Sequence, residues 1–128
     1  MYFVIPGESI SDPLILNDMQ VIGLDVIKAP DTSNFPYWYE FVVEGPVALI
    51  KTIQGALKVD WYAAMFDNTQ ITIIFTDQTF NVIEDNILTN AAVPAKEYGQ
   101  AHGIQKEFLD WEERQSIYLS KLKQAGKI

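Results

Sequence analysis

The first half of the chain alternates short runs of β-branched and aromatic residues with turn formers. A run around Val4 predicts a short first strand that ends at Pro6, because proline cannot donate to a strand ladder. Two longer runs, Gln20–Lys28 and Tyr37–Glu44, predict two further strands. Gly23 marks a candidate β-bulge within the first of these.

Three more β-rich runs follow, at residues 59–66, 71–76 and 79–83. The residues that separate them are rich in Asp, Asn, Thr and Gln, which are typical of tight turns. Short runs joined by tight turns pair with their neighbours in sequence. We therefore expect an antiparallel meander over about residues 59–84.

Helical spacing occurs in two places. Over residues 46–57, apolar side chains recur at intervals of three, three and four: Val47, Ile50, Ile53 and Leu57. This spacing predicts an internal helix, although Gly55 weakens it and a hairpin of two strands is the alternative. Residues 104–124 have the clearest helical period of the chain and predict a long C-terminal helix. Residues 85–103 have no period and predict a connector.

Together these elements predict one α+β domain that spans residues 1–128. We expect a mostly antiparallel sheet of five to six strands, with the internal helix and the C-terminal helix packed against it.

Five aromatic rings crowd the seven residues Phe35–Phe41. Strand side chains alternate between the two faces of a sheet, which gives one row of Tyr37, Tyr39, Phe41 and Val43 and another of Trp38, Glu40, Val42 and Glu44. The first row is apolar, and we expect it to pack against the core. The second row mixes a ring with two carboxylates, as half-exposed faces do. Trp38, Glu40 and Glu44 are therefore candidates for a partner surface.

The C-terminal helix has an apolar seam with near-heptad spacing: Ile104, Phe108, Trp111, Gln115, Tyr118, Leu119 and Leu122. Leu109 and Ile117 lie outside this seam, which indicates a second contact. In one arrangement the seam packs on the protein's own sheet and these two residues contact another subunit. In the other, the seam is itself the interface and Gln115 fixes its register. Both arrangements predict a homodimer.

The charge is strongly acidic and unevenly placed. Residues 1–100 carry 13 Asp and Glu against four Lys, and the whole chain has a net charge of −8. This field repels phosphate backbones, so we expect no nucleic-acid binding, and it favours a basic protein partner. No run approaches the ~20 apolar residues of a membrane span, and no signal peptide is evident. We expect a cytoplasmic protein that does not contact membranes.

The residues that usually carry chemistry are sparse. There is no cysteine, which excludes disulfides, thiolate metal sites and cysteine nucleophiles. No nucleotide-binding fingerprint or nucleophile elbow occurs, and we expect no cofactor. His102 is the single histidine, and we expect it to be solvated or to help start the last helix rather than to bind metal. The other candidates for chemistry are carboxylates: Glu40, Glu44, Asp60, Glu84 and Asp85.

These observations favour a small interaction or accessory protein, not an enzyme, that acts through protein–protein contacts. Its composition is compatible with inhibitors, immunity proteins and nucleic-acid mimics. The alternative is a carboxylate-dependent hydrolase or a domain that binds a divalent cation. A cleft with two buried carboxylates would favour this alternative, and a flat acidic face beside an apolar patch would favour an interaction protein.

Overall fold

One antiparallel sheet organises the computed structural model, which describes residues 1–128. Its strands are β1 Tyr2–Pro6, β2 Gln20–Lys28, β3 Tyr37–Glu44, β4 Ala63–Phe66, β5 Ile71–Ile74, β6 Thr79–Glu84 and β7 Ile87–Leu88. Their spatial order is β2-β3-β1-β4-β5-β6-β7, so β2 and β7 are the edges. The α+β class with a mostly antiparallel sheet is confirmed, with one strand more than expected.

Helices cover both faces of the sheet. The α-helices are α1 Leu49–Ala56, α2 Ala92–Ala101 and α3 Trp111–Gln124, and shorter 3-10 turns span Gly7–Ser9, Pro13–Asp18 and Lys106–Phe108. Helix α1 confirms the predicted internal helix and excludes the alternative hairpin at this position. No helix combines the length and the apolar character needed to cross a bilayer.

Each face of the sheet has its own apolar cluster. On one face, α1 and the 3-10 turn Pro13–Asp18 pack over side chains of the central strands, among them Phe3, Ile5, Val43, Met65 and Ile74. On the other face, α2 and α3 pack over a second set that includes Val4, Val42, Phe66, Ile73 and Val82. Strand side chains alternate, so one strand supplies both clusters, and the central strands are buried on both sides.

The predicted meander is confirmed. Strands β4, β5 and β6 pair in sequence order, with Ala64 opposite Ile73 and Ile73 opposite Phe80. In the turn between β4 and β5, the Asp67 carboxylate accepts hydrogen bonds from the backbone N–H groups of Thr69 and Gln70. The polar residues between the runs therefore form the turns that their composition indicated.

Residues 85–103, which we expected to be a connector, contain β7 and α2. Asp85 and Asn86 have positive φ angles of 52° and 64°, and they form the two-residue turn that starts β7. Helix α2 was missed because three of its ten residues are alanine and it also contains Pro94 and Gly99, which hide its period. His102 ends α2 and stacks on Tyr98, with 4.2 Å between ring centroids. It is therefore half-buried and neither solvated nor at a helix start.

Helix α3 begins seven residues later than the predicted bound of 104. Gly103 has a φ of +87°, which breaks the helical path. The carboxylate of Asp110 then accepts a hydrogen bond from the N–H of Glu113 at 3.1 Å and caps the new helix. Gln115, the polar member of the seam, donates to the side chain of Asn86 at 2.9 Å. Of the predicted seam, Trp111, Tyr118 and Leu122 are buried in the core cluster on this face of the sheet, whereas Ile104 and Phe108 precede the helix.

Candidate interaction surface

Strands β2 and β3 form a ribbon that extends past the end of β1. Pro6, the last residue of β1, lies opposite Glu40, so Tyr37 and Tyr39 pair with β2 alone. The two sides of this ribbon have different surroundings. One side, the covered side, faces α3. The other, the open side, extends beyond the part of the sheet that α1 covers.

Trp38 belongs to the covered side. Its ring makes edge contacts with Trp61 and Phe108, each with 5.4 Å between centroids. Its indole N–H donates to Ser33 Oγ at 3.1 Å. Trp38 therefore joins the ribbon to the segment before α3 within the same chain and is half-buried in the process.

Glu40 also belongs to the covered side, in a cluster of charges. The ammonium group of Lys121, on α3, contacts Asp25 and lies 2.9 Å from Glu40 Oε1. Only 5 % of the Lys121 side chain is exposed. Burial by itself lowers the pKa of Lys121, but the charges of Glu40 and Asp25 outweigh it and raise that pKa above 10.5. Farther along, Lys127 contacts Glu44 at 3.1 Å.

Two buried tyrosines lie at the contact between α3 and the sheet near this cluster: Tyr62, and Tyr118 on α3 itself. Burial raises the pKa of Tyr62 to about 12, and the Arg114 guanidinium partly opposes this rise. Burial also raises the pKa of Tyr118 well above 10, with the neighbouring Tyr62 adding to the effect. The Tyr62 hydroxyl donates to the carbonyl oxygen of Phe108. Both phenols are therefore neutral at ordinary pH and help hold α3 to the sheet.

The open side carries five large apolar side chains that are about half exposed: Leu24 52 %, Val26 59 %, Phe35 42 %, Tyr37 51 % and Tyr39 44 %. Val26 lies directly opposite Tyr39, and Leu24 lies opposite Phe41 in the ladder. Residues opposite each other on antiparallel strands point to the same face. We call the surface formed by these five residues the open face.

A groove of about 450 Å³ runs along the open face, lined by Gly7, Glu8, Phe35, Pro36, Tyr37, Tyr39 and Lys58. Glu8 Oε1 accepts a hydrogen bond from the backbone N–H of Tyr39 at 2.8 Å. Burial raises the pKa of Glu8 above 4.5, although this hydrogen bond lowers it in part. A Cβ at Gly7 would lie 3.2 Å from the ring of Phe41. The glycine therefore lets the turn lie close against β3.

A second groove, of about 540 Å³, lies between α2 and the start of α3. Leu109 and Trp111 form its apolar base, and the charged residues around it are Lys96, Lys106, Glu107, Asp110, Glu112 and Glu113. Four carboxylates against two lysines make this groove acidic. Acidic side chains and an apolar base therefore meet in this groove, which lies between helices and not on the sheet.

The structure does not bring the five predicted partner-surface residues together. Trp38, Glu40 and Glu44 make the intramolecular contacts described above. Leu109 is only 1 % exposed and belongs to the core, so it is not available to a partner in the folded chain. Ile117 is half-buried against the same core cluster. The expectation that Tyr37 and Tyr39 pack against the core is wrong. They lie on the face of the sheet that α1 covers, but beyond the part of it that α1 reaches, and both are about half exposed.

None of the five residues of the open face was among the predicted partner-surface residues. The two rows on β3 were assigned correctly, but in the first half of the strand the row expected to pack against the core, with Tyr37 and Tyr39, is the more exposed one. A signal was present in β2, where Leu24 and Val26 alternate with Asp25. That alternation predicts an apolar row and a polar row, and pairing with β3 places the apolar row beside Tyr39.

Comparison with protein-family models, with curated proteins and with solved structures gave no match. In the structure itself, no group of three or more His, Asp or Glu side chains is arranged to hold a metal ion.

Proposed function

We propose that this protein acts without catalysis, through protein–protein contacts made at the open face. The observation that carries the proposal is the five half-exposed apolar side chains that lie side by side on the open face of β2 and β3. Monomeric soluble proteins rarely expose contiguous apolar surface beyond ~300–600 Å², and surfaces of that size are often binding sites. Tyr and Phe, which dominate this face, are also enriched in protein interfaces.

The chemistry of the groove supports the same proposal. Glu8 is the one carboxylate that lines it, and its Oε1 accepts a backbone hydrogen bond. Asp25 and Glu40, two neighbouring carboxylates of the ribbon, are on the covered side and both contact Lys121. Cation binding at that pair would require Lys121 to be displaced.

A carboxylate-dependent hydrolase is the second candidate, and one observation favours it. Glu8 has a raised pKa and lies in a groove with three aromatic rings, a setting that suits a general acid. If Glu8 were a general acid, Glu8→Gln would abolish a hydrolytic activity that the wild type shows. The interaction proposal expects no such activity in either protein.

Affinity capture with matched variants tests the interaction proposal. Val26→Lys places a charge in the open face, and Val93→Lys makes the same change at an equally exposed valine on α2. We expect the proteins recovered from the natural host cell with the wild type to be recovered with Val93→Lys and lost with Val26→Lys. Recovery of the same set with all three chains would contradict the proposal.

A basic partner at the acidic groove beside Leu109 is distinguishable in the same experiment, because Val93 lines that groove: such a partner should be lost with Val93→Lys and kept with Val26→Lys. We propose this partner second to the open face, because four carboxylates around the groove are its main support. Exposed charges are screened over a Debye length of ~3 Å at 1 M salt, so such a partner would be lost at high salt. A partner held by the apolar open face would persist under those conditions.

A further inference from the structure

We infer that the groove on the open face binds a lysine side chain of the partner protein, with Glu8 as the counter-charge of its ammonium group. The inference rests on the proposed function and names the chemistry of the partner at the same surface. Three aromatic rings line this groove together with one carboxylate, that of Glu8. A cation is attracted both by the face of an aromatic ring and by a carboxylate.

The three rings of the groove are available to a ligand. Most aromatic side chains of the chain pack against other rings. Phe35, Tyr37 and Tyr39 take part in no such ring pair, and each is about half exposed. A cation that enters the groove can therefore contact their faces without displacing another side chain.

The carboxylate of Glu8 is not neutralised within the chain. The ion pairs of the structure involve other residues: Lys121 with Asp25 and Glu40, Lys127 with Glu44, and Arg114 with Glu113. Glu8 Oε1 accepts a hydrogen bond from the backbone N–H of Tyr39, which leaves Oε2 for a ligand. One free oxygen suits the compact ammonium group of lysine better than the planar fork of arginine, which binds both oxygens of a carboxylate.

The electrostatic field at Glu8 also favours a cation. Burial is the main cause of the raised pKa of Glu8, so its negative charge is incompletely solvated. Among the neighbouring charges, Glu40 raises that pKa more than Lys58 lowers it. These two charges together therefore create a negative potential at Glu8, although Lys58 lines the groove. A bound ammonium group would compensate for the lost solvation, and salt screens such a partly buried pair less than it screens exposed charges.

The walls of the groove are held in place by hydrogen bonds of the chain itself. Ser33 Oγ accepts from the backbone N–H of Phe35 and from the indole N–H of Trp38, both at 3.1 Å. The backbone N–H of Ala29 donates to the carbonyl oxygen of Pro36 at 3.1 Å. Little ordering is therefore required on binding. The groove volume of about 450 Å³ also lies within the ~300–1,000 Å³ of ordinary ligand sites.

NMR titration of the full chain with N-acetyl-lysine methylamide tests the site directly. N-acetyl-norleucine methylamide is the matched probe, because it has the same aliphatic stem without the ammonium group. The backbone amide of Tyr39 is the reporter, since it donates to Glu8. With the lysine probe, the amide signals of Gly7, Glu8, Tyr37 and Tyr39 should shift and saturate, and the norleucine probe should bind about tenfold more weakly. Equal affinity for the two probes, or shifts confined to other regions, would overturn the inference.

Two glutamine variants separate the role of Glu8 from that of net charge. Glu8→Gln removes the charge but keeps an oxygen that can accept the N–H of Tyr39. Glu112→Gln changes the net charge equally, at the groove between α2 and α3. Glu8→Gln and Tyr37→Leu should each weaken binding of the lysine probe, the first by about tenfold, and Glu112→Gln should not. Unchanged affinity in Glu8→Gln or Tyr37→Leu, or equal losses in the two glutamine variants, would overturn the inference.

Failure of this inference and failure of the proposed function give different results in the affinity capture. We expect Glu8→Gln to recover less of the partner than Glu112→Gln does. If the two glutamine variants recover it equally while Val26→Lys loses it, the lysine side chain is excluded and the open face keeps its role. If Val26→Lys also recovers it, both proposals are wrong.

Discussion

The two sides of the β2–β3 ribbon differ in what lies on them, although the same two strands supply both. On the covered side, Trp38 and Glu40 contact residues of the C-terminal part of the chain. On the open side, Tyr37 and Tyr39 alternate with them and contact no covering helix. The richer row of aromatic residues is the exposed one. Ring content therefore does not tell which side of a strand is buried, because the covering element decides that and it lies far away in sequence.

The largest expected effect is on the stability of the fold, when a carboxylate is placed at a buried position and, for comparison, at an exposed one. Ile73 is fully buried in β5, so Ile73→Asp should unfold the domain: an unpaired buried charge costs several kcal/mol against a total stability of ~5–15 kcal/mol. Leu24→Asp, on the open face, should stay folded. Circular dichroism and thermal melting measure both. A folded Ile73→Asp would contradict the packing described for the sheet.

Two lysines of the C-terminal part provide a smaller contrast on the covered side. Lys121→Ala leaves Asp25 and Glu40 together without their cation, and we expect a loss of about 3 kcal/mol. Lys127→Ala breaks the more exposed pair with Glu44 and should cost less than about 1 kcal/mol. Urea unfolding measures both losses. Equal losses would mean that burial does not distinguish the two contacts.

Alkaline pH should weaken the covered side selectively. The pKa of Tyr62 is raised to about 12 and that of Lys121 above 10.5, so the folded state holds these protons more tightly than the unfolded state. The contribution of Tyr62 to stability is complete below pH 10 and is lost as the pH rises from 10 to about 12, and that of Lys121 is lost as the pH rises above 10.5. For Tyr62 the rise from 10 to about 12 corresponds to about 3 kcal/mol.

Urea unfolding at intervals between pH 8 and about 12 measures this loss, and the absorbance of ionised tyrosine identifies the groups. Tyr62→Phe is the control, because it should reduce the slope of stability against pH in this range. A slope that is the same in the variant would show that Tyr62 is not the group responsible.

The smallest expected effect is that of divalent cations. Asp25 and Glu40 are already bound by Lys121, and no other cluster of ligands exists. We therefore expect no change in melting temperature with EDTA, Mg²⁺ or Ca²⁺. A cation present at ~100 times its Kd would stabilise the fold by ~2.7 kcal/mol, which is easily measured. Such a shift would favour the cation-binding alternative.

Much of the fold follows from local pattern in the sequence. The meander from β4 to β6 and helix α1 were predicted, because their periods and turn residues lie within short windows. Helix α2 could not be predicted, since its alanines, Pro94 and Gly99 give no apolar stripe. The turn at Asp85-Asn86 could have been predicted from the sequence, because Asp and Asn are typical of two-residue hairpin loops.

The candidate surface was less predictable than the fold. Alternation placed Tyr37 with Tyr39 and Trp38 with Glu40 correctly. The alternation pattern does not reveal that β2 pairs with β3 at the edge of the sheet. It also does not reveal that Lys121 contacts Asp25, which lies 96 residues earlier in the chain. Both are long-range tertiary contacts. Because of them, the row of β3 that was predicted to be buried is exposed near Tyr37 and Tyr39, and the row predicted to be half exposed is covered. The strand residues proposed for a partner, Trp38, Glu40 and Glu44, therefore contact the C-terminal part of the same chain.

The distance in sequence between Lys121 and Asp25 also has a consequence during translation. At ~5–20 residues per second, the ribosome adds Lys121 roughly 5 to 20 s after Asp25. During that interval the nascent ribbon has neither α3 nor its counter-charge. The two carboxylates in its middle then repel other nascent ribbons, as gatekeeper residues do. The carboxylates of Asp25 and Glu40, which later bind Lys121 and hold α3 in place, would thus first keep incomplete chains from pairing with one another until each chain has its own Lys121.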